Sequence, residues 1–183
     1  MGKKVVIIST SLRKNSNSDA LAREFMRGVQ DAGNEAEYIS LRGKKIAFCT
    51  GCMSCARTGE CAIRDDAVAI EKQVASADVV VWATPIYYYE MSGQMKTLID
   101  RLNPMYPKEL KFRDVYVLTT AQENGAATAK TAEAGVQAWV DNFKQARFAG
   151  SLFCGGVDGE GEIAGNPMLT TAYQMGRDCC KRR

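Results

Sequence analysis

Two runs of consecutive apolar residues constrain this chain most: Lys4-Val-Val-Ile-Ile-Ser9, and Ala77-Asp-Val-Val-Val-Trp-Ala-Thr84. Neither alternates polar with apolar residues. A strand with this pattern has no face to give to water, so it must lie inside a sheet covered on both sides. Stretches between the runs supply covering helices. Residues 20–32 place Leu21, Phe25, Val29 and Ala32 on one side, with Gly33-Asn34 as the stop. Residues 66–76 carry an Ala67, Ile70, Val74 stripe, Ser92 caps a helix to about 102, and 128–143 reads as another helix. Weaker strands are expected at 35–41, 112–120 and 148–154, and Asn166-Pro167 opens a last helix into Cys179-Cys180. Strand and helix alternate throughout, which is the pattern of a parallel sheet between two helical layers. The 183 residues suit one such α/β domain, 1–183, with a full core. Ligands of these folds sit at the carboxyl ends of the strands. The loops after the first, third and fourth strands are therefore the ones to read.

The loop at 10–18, Thr-Ser-Leu-Arg-Lys-Asn-Ser-Asn-Ser, is rich in hydroxyls and amides, carries Arg13 and Lys14, and leads into a helix N-terminus. Such a position can hold an anion or can be an ordinary capped turn. It contains no glycine, so it is neither a P-loop nor a dinucleotide fingerprint. After the third strand, Thr84-Pro-Ile-Tyr-Tyr-Tyr-Glu-Met reads as a loop over 85–91. Backbone groups there could edge a planar heterocycle while an aromatic ring covers its face. Equally, the tyrosines could pack at a subunit interface.

The cysteines form a third feature. Cys49, Cys52, Cys55 and Cys61 follow the spacing C-x2-C-x2-C-x5-C. Four thiolates in a short run can wrap an iron–sulfur cluster or a zinc ion, or they can remain plain thiols. Asp65-Asp66 reads as the cap and first turn of the next helix. Cys154 is expected as a small core residue and Cys179-Cys180 as inert or exposed.

Several classes fall away. Histidine is absent, which removes histidine bases and histidine metal ligands. The formal net charge is only +3 and the basic residues are scattered, so no nucleic-acid face is expected. The terminal Lys181-Arg182-Arg183 reads as a solvated helix end. No apolar run is long enough for a bilayer, and residues 5–8 are too short for a signal sequence, so a cytoplasmic protein is expected, in which free or metal-bound thiols outrank disulfides.

The joined motifs carry a resemblance. The chain resembles the NADPH-dependent FMN reductase family of flavodoxin-like proteins. Ser11, Arg13, Ser16, Asn17 and Ser18 resemble its G-S-x-R-x-x-S/G-N-S/T phosphate loop, with Thr10 and Leu12 in place of the family's glycine and proline. Thr84-Pro-Ile-Tyr-Tyr resembles its T/S-P-x-Y flavin turn, and Ser92-Gly-Gln-Met-Lys-Thr-Leu-Ile-Asp-Arg its S-x-x-M/L-K-x-x-I/L-D-R helix. The resemblance implies a flavodoxin-like three-layer sandwich with five parallel strands in the order 2-1-3-4-5, and bound FMN. Ser11, Arg13, Ser16, Asn17 and Ser18 would hold the phosphate. Thr84, Pro85, Ile86, Tyr87 and Tyr88 would line the isoalloxazine, with Thr120 and Gly125 approaching from the other side. The cysteine run is similar to that of iron–sulfur flavoproteins, which use it to bind a [4Fe–4S] cluster; zinc or free thiols stay open.

The implied function is an FMN-dependent oxidoreductase. It would take hydride from NAD(P)H and pass electrons to a small acceptor such as a quinone, flavin or metal ion, or to an iron–sulfur carrier such as ferredoxin. No catalytic acid or base is required, because the chemistry belongs to the cofactor. The alternative is a non-enzymatic electron-transfer protein carrying FMN, with or without the cluster. A homodimer or homotetramer is expected, and no membrane partner.

Overall fold

The computed structural model describes residues 2–181, so Arg182 and Arg183 of the basic tail lie outside the described residues. Three strands are buried almost from end to end: β1 (Lys4–Ser9), β3 (Val79–Tyr87) and β5 (Asp114–Thr120). Their alternate side chains serve two separate cores. Val6, Ile8, Val80, Trp82, Val115 and Val117 face one core, and Val5, Ile7, Val79, Val81 and Leu118 face the other. This is the direct consequence of apolar residues at every position of a strand whose side chains alternate. The edge strands β2 (Glu35–Ser40) and β6 (Arg147–Cys154) carry more polar sequence and are only partly buried.

All five pair in parallel, in the order β2-β1-β3-β5-β6. A two-residue strand, β4 (Glu90–Met91), folds back on the end of β3. With that hairpin arm set aside, the order is the expected 2-1-3-4-5. Helices α1 (Asn17–Asp31) and α6 (Pro167–Asp178) cover one face. Helices α3 (Asp66–Ala75), α4 (Gly93–Arg101) and α5 (Lys130–Val140) cover the other. Cys154 is buried at the end of β6, as expected; Cys179 is also buried in the core rather than exposed.

Three local expectations are corrected. α1 begins at Asn17, earlier than its apolar periodicity indicates, because Ser16 caps it by accepting from the Asp19 N–H. The stretch 85–91 is a hairpin rather than a loop: β3 runs on through Tyr87, and Ile86 and Tyr87 pair with Met91 and Glu90. Within the cysteine run, Ser54–Thr58 forms a short helix, α2.

α1 and α6 touch through glycines. A Cβ on Gly28 would stand 2.0 Å from the Tyr173 carbonyl oxygen, and one on Gly176 would stand 2.0 Å from the Phe25 carbonyl oxygen. No side chain fits between these backbones. The close crossing also returns the chain after β6 to the front of α1, where the first loop lies. We predict that Gly176→Ala destabilises the protein by about 2 kcal/mol, despite the ~1 kcal/mol of helix propensity that alanine adds, because helices forced apart lose their packing. Urea denaturation of the variant beside the parent measures this; an unchanged midpoint would mean that the crossing is slack.

Candidate functional site

The first loop leaves β1 through a buried polar joint. The Thr10 hydroxyl donates to the Ala83 carbonyl at 3.0 Å and stands 3.1 Å from the Ser92 hydroxyl. Since the Thr10 hydrogen is committed to Ala83, the Ser92 hydroxyl donates to Thr10. The same Ser92 oxygen accepts from the Met95 N–H and caps α4. One bond network therefore couples the first loop to the helix that follows the hairpin. Thr84, wholly buried, closes the hairpin's base: its hydroxyl accepts from the Ser92 N–H at 3.0 Å and donates to the Pro85 carbonyl at 3.0 Å.

In front of this joint lies a narrow polar cleft. Ser11, Arg13, Ser16 and Asn17 form one wall, Pro85, Ile86 and Tyr87 a second, Thr120, Ala121 and Gln122 a third, and Val157 and Asp158 the last. The Ser11 oxygen accepts the Arg13 N–H at 3.3 Å, which leaves the Ser11 O–H free to donate. Arg13 swings across to donate to the Asp158 carbonyl. The N-terminus of the 15-residue α1 opens onto the same wall. Hydroxyl donors, a guanidinium and a helix N-terminus at one end make that end suited to a phosphate.

Sequence reasoning did not find the wall formed after β6. The stretch 155–163 is fastened to the first loop by three contacts besides Arg13: the Asn17 amide donates to the Gly159 carbonyl at 2.9 Å, its oxygen accepts from the Ile163 N–H at 3.1 Å, and the Gly161 N–H meets the Asn15 carbonyl at 2.9 Å. The Glu162 carboxylate accepts the N–H groups of Asp158 and Gly159, which holds its pKa below the usual range. Gly155 packs so tightly on the loop after β5 that a Cβ would stand 2.5 Å from the Asn124 side-chain oxygen. The signal was present as a glycine-rich stretch directly after the last strand.

The hairpin tip is strained. Tyr88 and Tyr89 both adopt positive φ, 51° and 66°. A two-residue turn of this kind ordinarily uses Asn-Gly, since side chains with a Cβ resist that region. Tyr88 is 100% exposed, and the Glu123 carboxylate of the loop after β5 raises the pKa of Tyr89. Of the residues expected around a flavin, the structure gathers Ser11, Arg13, Ser16, Asn17, Pro85, Ile86, Tyr87 and Thr120 on the cleft. Ser18 and Thr84 lie wholly buried behind it, Ser18 against the Ser16 hydroxyl at 3.0 Å. Tyr88 points to solvent, and Gly125 lies beyond the cleft in the turn before α5, its carbonyl accepting from the Thr128 N–H. The Asn17 side chain acts as a strut through one N–H and its oxygen, which leaves its second amide N–H, with its backbone at the front of α1, for the cleft.

A larger apolar cleft of about 630 Å³ lies on the other side of Tyr87, between the hairpin and the residues leading into the cysteine run; Leu12, Leu41, Ile46, Phe48 and Tyr87 line it. Beyond Phe48, Cys49, Cys52, Cys55 and Cys61 share one small cavity with Arg101 and Asn103. All seven cysteines of the chain are free thiols. Left-handed backbone at Gly51, Met53 and Gly59 winds the run around that cavity. The N–H of Ser54 points at the Cys52 sulfur and lowers its pKa. The donor set, thiols with no histidine, fits an iron–sulfur cluster or zinc, and an unpaired buried N–H of Arg101 sits at the same cavity. As placed, no three ligating side chains converge on a metal position among the described residues, so ligation requires the run to draw in.

Residues 3–144 match the family described as NADPH-dependent FMN reductase. An iron–sulfur flavoprotein of Archaeoglobus fulgidus is 39% identical over 101 residues, 55% of this chain and 46% of that protein. An iron–sulfur flavoprotein of Methanocaldococcus jannaschii is 38% identical over 102 residues, 56% of this chain and 53% of that protein. The matches thus span about half the length of these curated relatives. An NAD(P)H:quinone oxidoreductase from Methanothermobacter marburgensis superposes with a TM-score of 0.78 over 100% of both chains at 15% identity, which establishes the shared fold. No described helix is long and apolar enough to cross a membrane. The family match, which spans β1 to the end of α5 and includes the first loop and the hairpin, shows that the chain belongs to the NADPH-dependent FMN reductase family.

Proposed function

We propose that the chain is an FMN-dependent oxidoreductase that takes hydride from NAD(P)H and hands the electrons to a small acceptor: a quinone, a flavin or a metal ion. The observation that carries this reading is the cleft where the loops after β1, β3, β5 and β6 meet, polar and cationic at one end and walled by Pro85, Ile86 and Tyr87 at the other. Ser11, Ser16, Arg13 and the front of α1 would hold the phosphate. Pro85 to Tyr87 would lie along the ring, and Thr120 to Gln122 would bound it opposite. When bound, FMN supplies the capacity to accept hydride and return electrons in pairs or singly. The protein positions, excludes water from the ring's edges and holds charge; none of its groups is required as an acid or base. The apolar cleft beside Tyr87 has the size and character for a flat apolar acceptor. Exposed Leu12, Phe48, Tyr87 and Tyr88 around it also support self-association as a homodimer or homotetramer.

The cysteine cavity favours an addition to this reading. Cys49, Cys52, Cys55 and Cys61 would ligate a [4Fe–4S] cluster, making single-electron exchange with a carrier such as ferredoxin the route onward. The likeness to iron–sulfur flavoproteins and the thiol-only donor set support it. A purely electron-carrying protein would bind the same groups but turn over NAD(P)H slowly.

Protein purified without oxygen is expected to take up FMN with a shifted, structured flavin spectrum and to oxidise NAD(P)H steadily with an added benzoquinone. Protein that stays colourless after incubation with FMN sinks the reading, and flavin without turnover leaves the electron carrier. Arg13→Ala should weaken FMN at least about tenfold, the worth of a charged hydrogen bond, yet leave riboflavin, which lacks the phosphate, unaffected in a fluorescence titration. Equal losses for both ligands would place the phosphate elsewhere. Cys52→Ser should lower the iron content to near zero while FMN affinity stays within twofold; iron retained at the parental level argues against this cysteine as a ligand.

A further inference from the structure

The last turn of α4 carries a cation that the cleft does not use. The Arg101 side chain has 0% exposure. One terminal nitrogen donates to the Ala47 carbonyl at 2.8 Å and to Asp65 Oδ2 at 2.7 Å; the other donates to the Ile63 carbonyl at 3.0 Å and to Asp65 Oδ1 at 2.9 Å. Ala47 and Ile63 stand just outside the cysteine run, one on each side. A single side chain therefore ties both ends of the run. Asp65 is fixed in turn by the N–H groups of Ala47 and Ala67. Burial works to raise the Asp65 pKa, but Arg101 and these two N–H groups outweigh it and hold the carboxyl below its usual range. Tying the ends removes closure entropy that ligand binding would otherwise have to overcome.

A guanidinium has five N–H hydrogens, and these bonds account for the four on its terminal nitrogens. The fifth, on Nε, is buried and has no hydrogen-bond partner. An unmade bond of that kind costs about 1–3 kcal/mol, and native structures rarely leave one without a reason. Arg101 lines the cavity shared by the four cysteines. Cys61 lines the same cavity and stands two residues before Ile63, whose carbonyl the guanidinium holds. At the other end of the run, the Asn103 amide points at the Cys49 sulfur from 3.9 Å.

We propose that Arg101 is the positioning residue of the cysteine run: it ties Ala47 to Ile63 so that the four thiols face one cavity, and it reserves its Nε–H for the sulfur of Cys61 once that sulfur is a thiolate ligand. This rests on the reading of the run as a cluster's ligand set. Metal-bound thiolates keep lone pairs that accept N–H donors. Such outer contacts orient the ligand, and hydrogen bonds to sulfur favour the more negative, reduced state of a cluster. Arg101 thereby makes Cys61 unlike the other three ligands, with a fixed, fully buried positive charge beside it.

Two measurements test this. The contact itself is read on metal-free protein by the nitrogen-edited NMR resonance of the Arg101 Nε–H. Slow solvent exchange is expected, together with a resonance that moves in Cys61→Ser and stays in place in Cys52→Ser. The positioning role is read on protein purified without oxygen. Arg101→Lys should keep FMN, release iron to bathophenanthroline at least about tenfold faster than the parent, and shift the cluster's midpoint potential negative. An Nε–H indifferent to Cys61→Ser overturns the proposal, as does an Arg101→Lys protein that holds iron as long as the parent at the same potential. A parent chain without iron whose Nε–H still follows Cys61 sinks the cluster reading and upholds the contact, so the two failures are told apart. The serine variants leave the Arg101–Asp65 pair intact, so the first measurement does not depend on Arg101→Lys folding.

Discussion

Burial of β1 and β3 on both faces sets everything else in place. Val5, Val6, Ile7 and Ile8 have 0% exposure, as do the four residues from Val79 to Trp82. Strands so enclosed are covered on both faces by the crossover helices, and their parallel pairing brings every strand of the main sheet out at the same edge. The loops after β1, β3, β5 and β6 are therefore neighbours before any of their own interactions are counted. Residues as far apart as Arg13 and Asp158 meet for that reason.

On that edge, short polar side chains do the fine positioning. Thr10 and Ser92 link the first loop to α4, Asn17 pins the chain after β6, and Thr84 closes the hairpin. Each acts from a buried position, where a hydrogen bond left unmade is expensive. The result is a cleft whose polar, cationic end is pinned by these bonds and whose opposite end is a hairpin tip held in left-handed backbone. Consecutive tyrosines at positive φ persist only where their surroundings enforce the turn, and such strain gathers at functional positions. The pairs Ile86–Met91 and Tyr87–Glu90 provide the enforcement.

The cysteine run, which follows β2 at the same edge, obeys the same logic. Its backbone winds through left-handed residues, so its own chain does not define its shape. Arg101 does so from a distance, standing one helical turn beyond Leu98 on the inward side of α4. Removing one member of a buried ion pair costs about 3–5 kcal/mol, and here it would also release both ends of the run. Fold stability and the cysteine cavity are thus coupled through one side chain, whereas the polar cleft depends on a separate set of bonds.

The apolar runs, the helix stripes and the caps at Ser92, Asp65 and Asn166 were legible without coordinates, because strand burial, helical period and capping are local properties of the chain. The strand order became legible through motif resemblance. What local pattern could not supply was partnership across the chain: that 157–158 completes the cleft, that Asn17 is a strut, that Tyr88 faces water, and that an arginine inside an apolar helix stripe clamps a loop beginning more than fifty residues earlier. Such contacts leave no period in the sequence, since each depends on which loops the parallel sheet sets side by side. The chain alone determined that a doubly covered sheet would form and that its carboxyl edge would carry hydroxyls, tyrosines and thiols. Only the tertiary structure decided which of those groups face one another, because the distances between them are set by the sheet's order and by two helices whose glycines let their backbones touch.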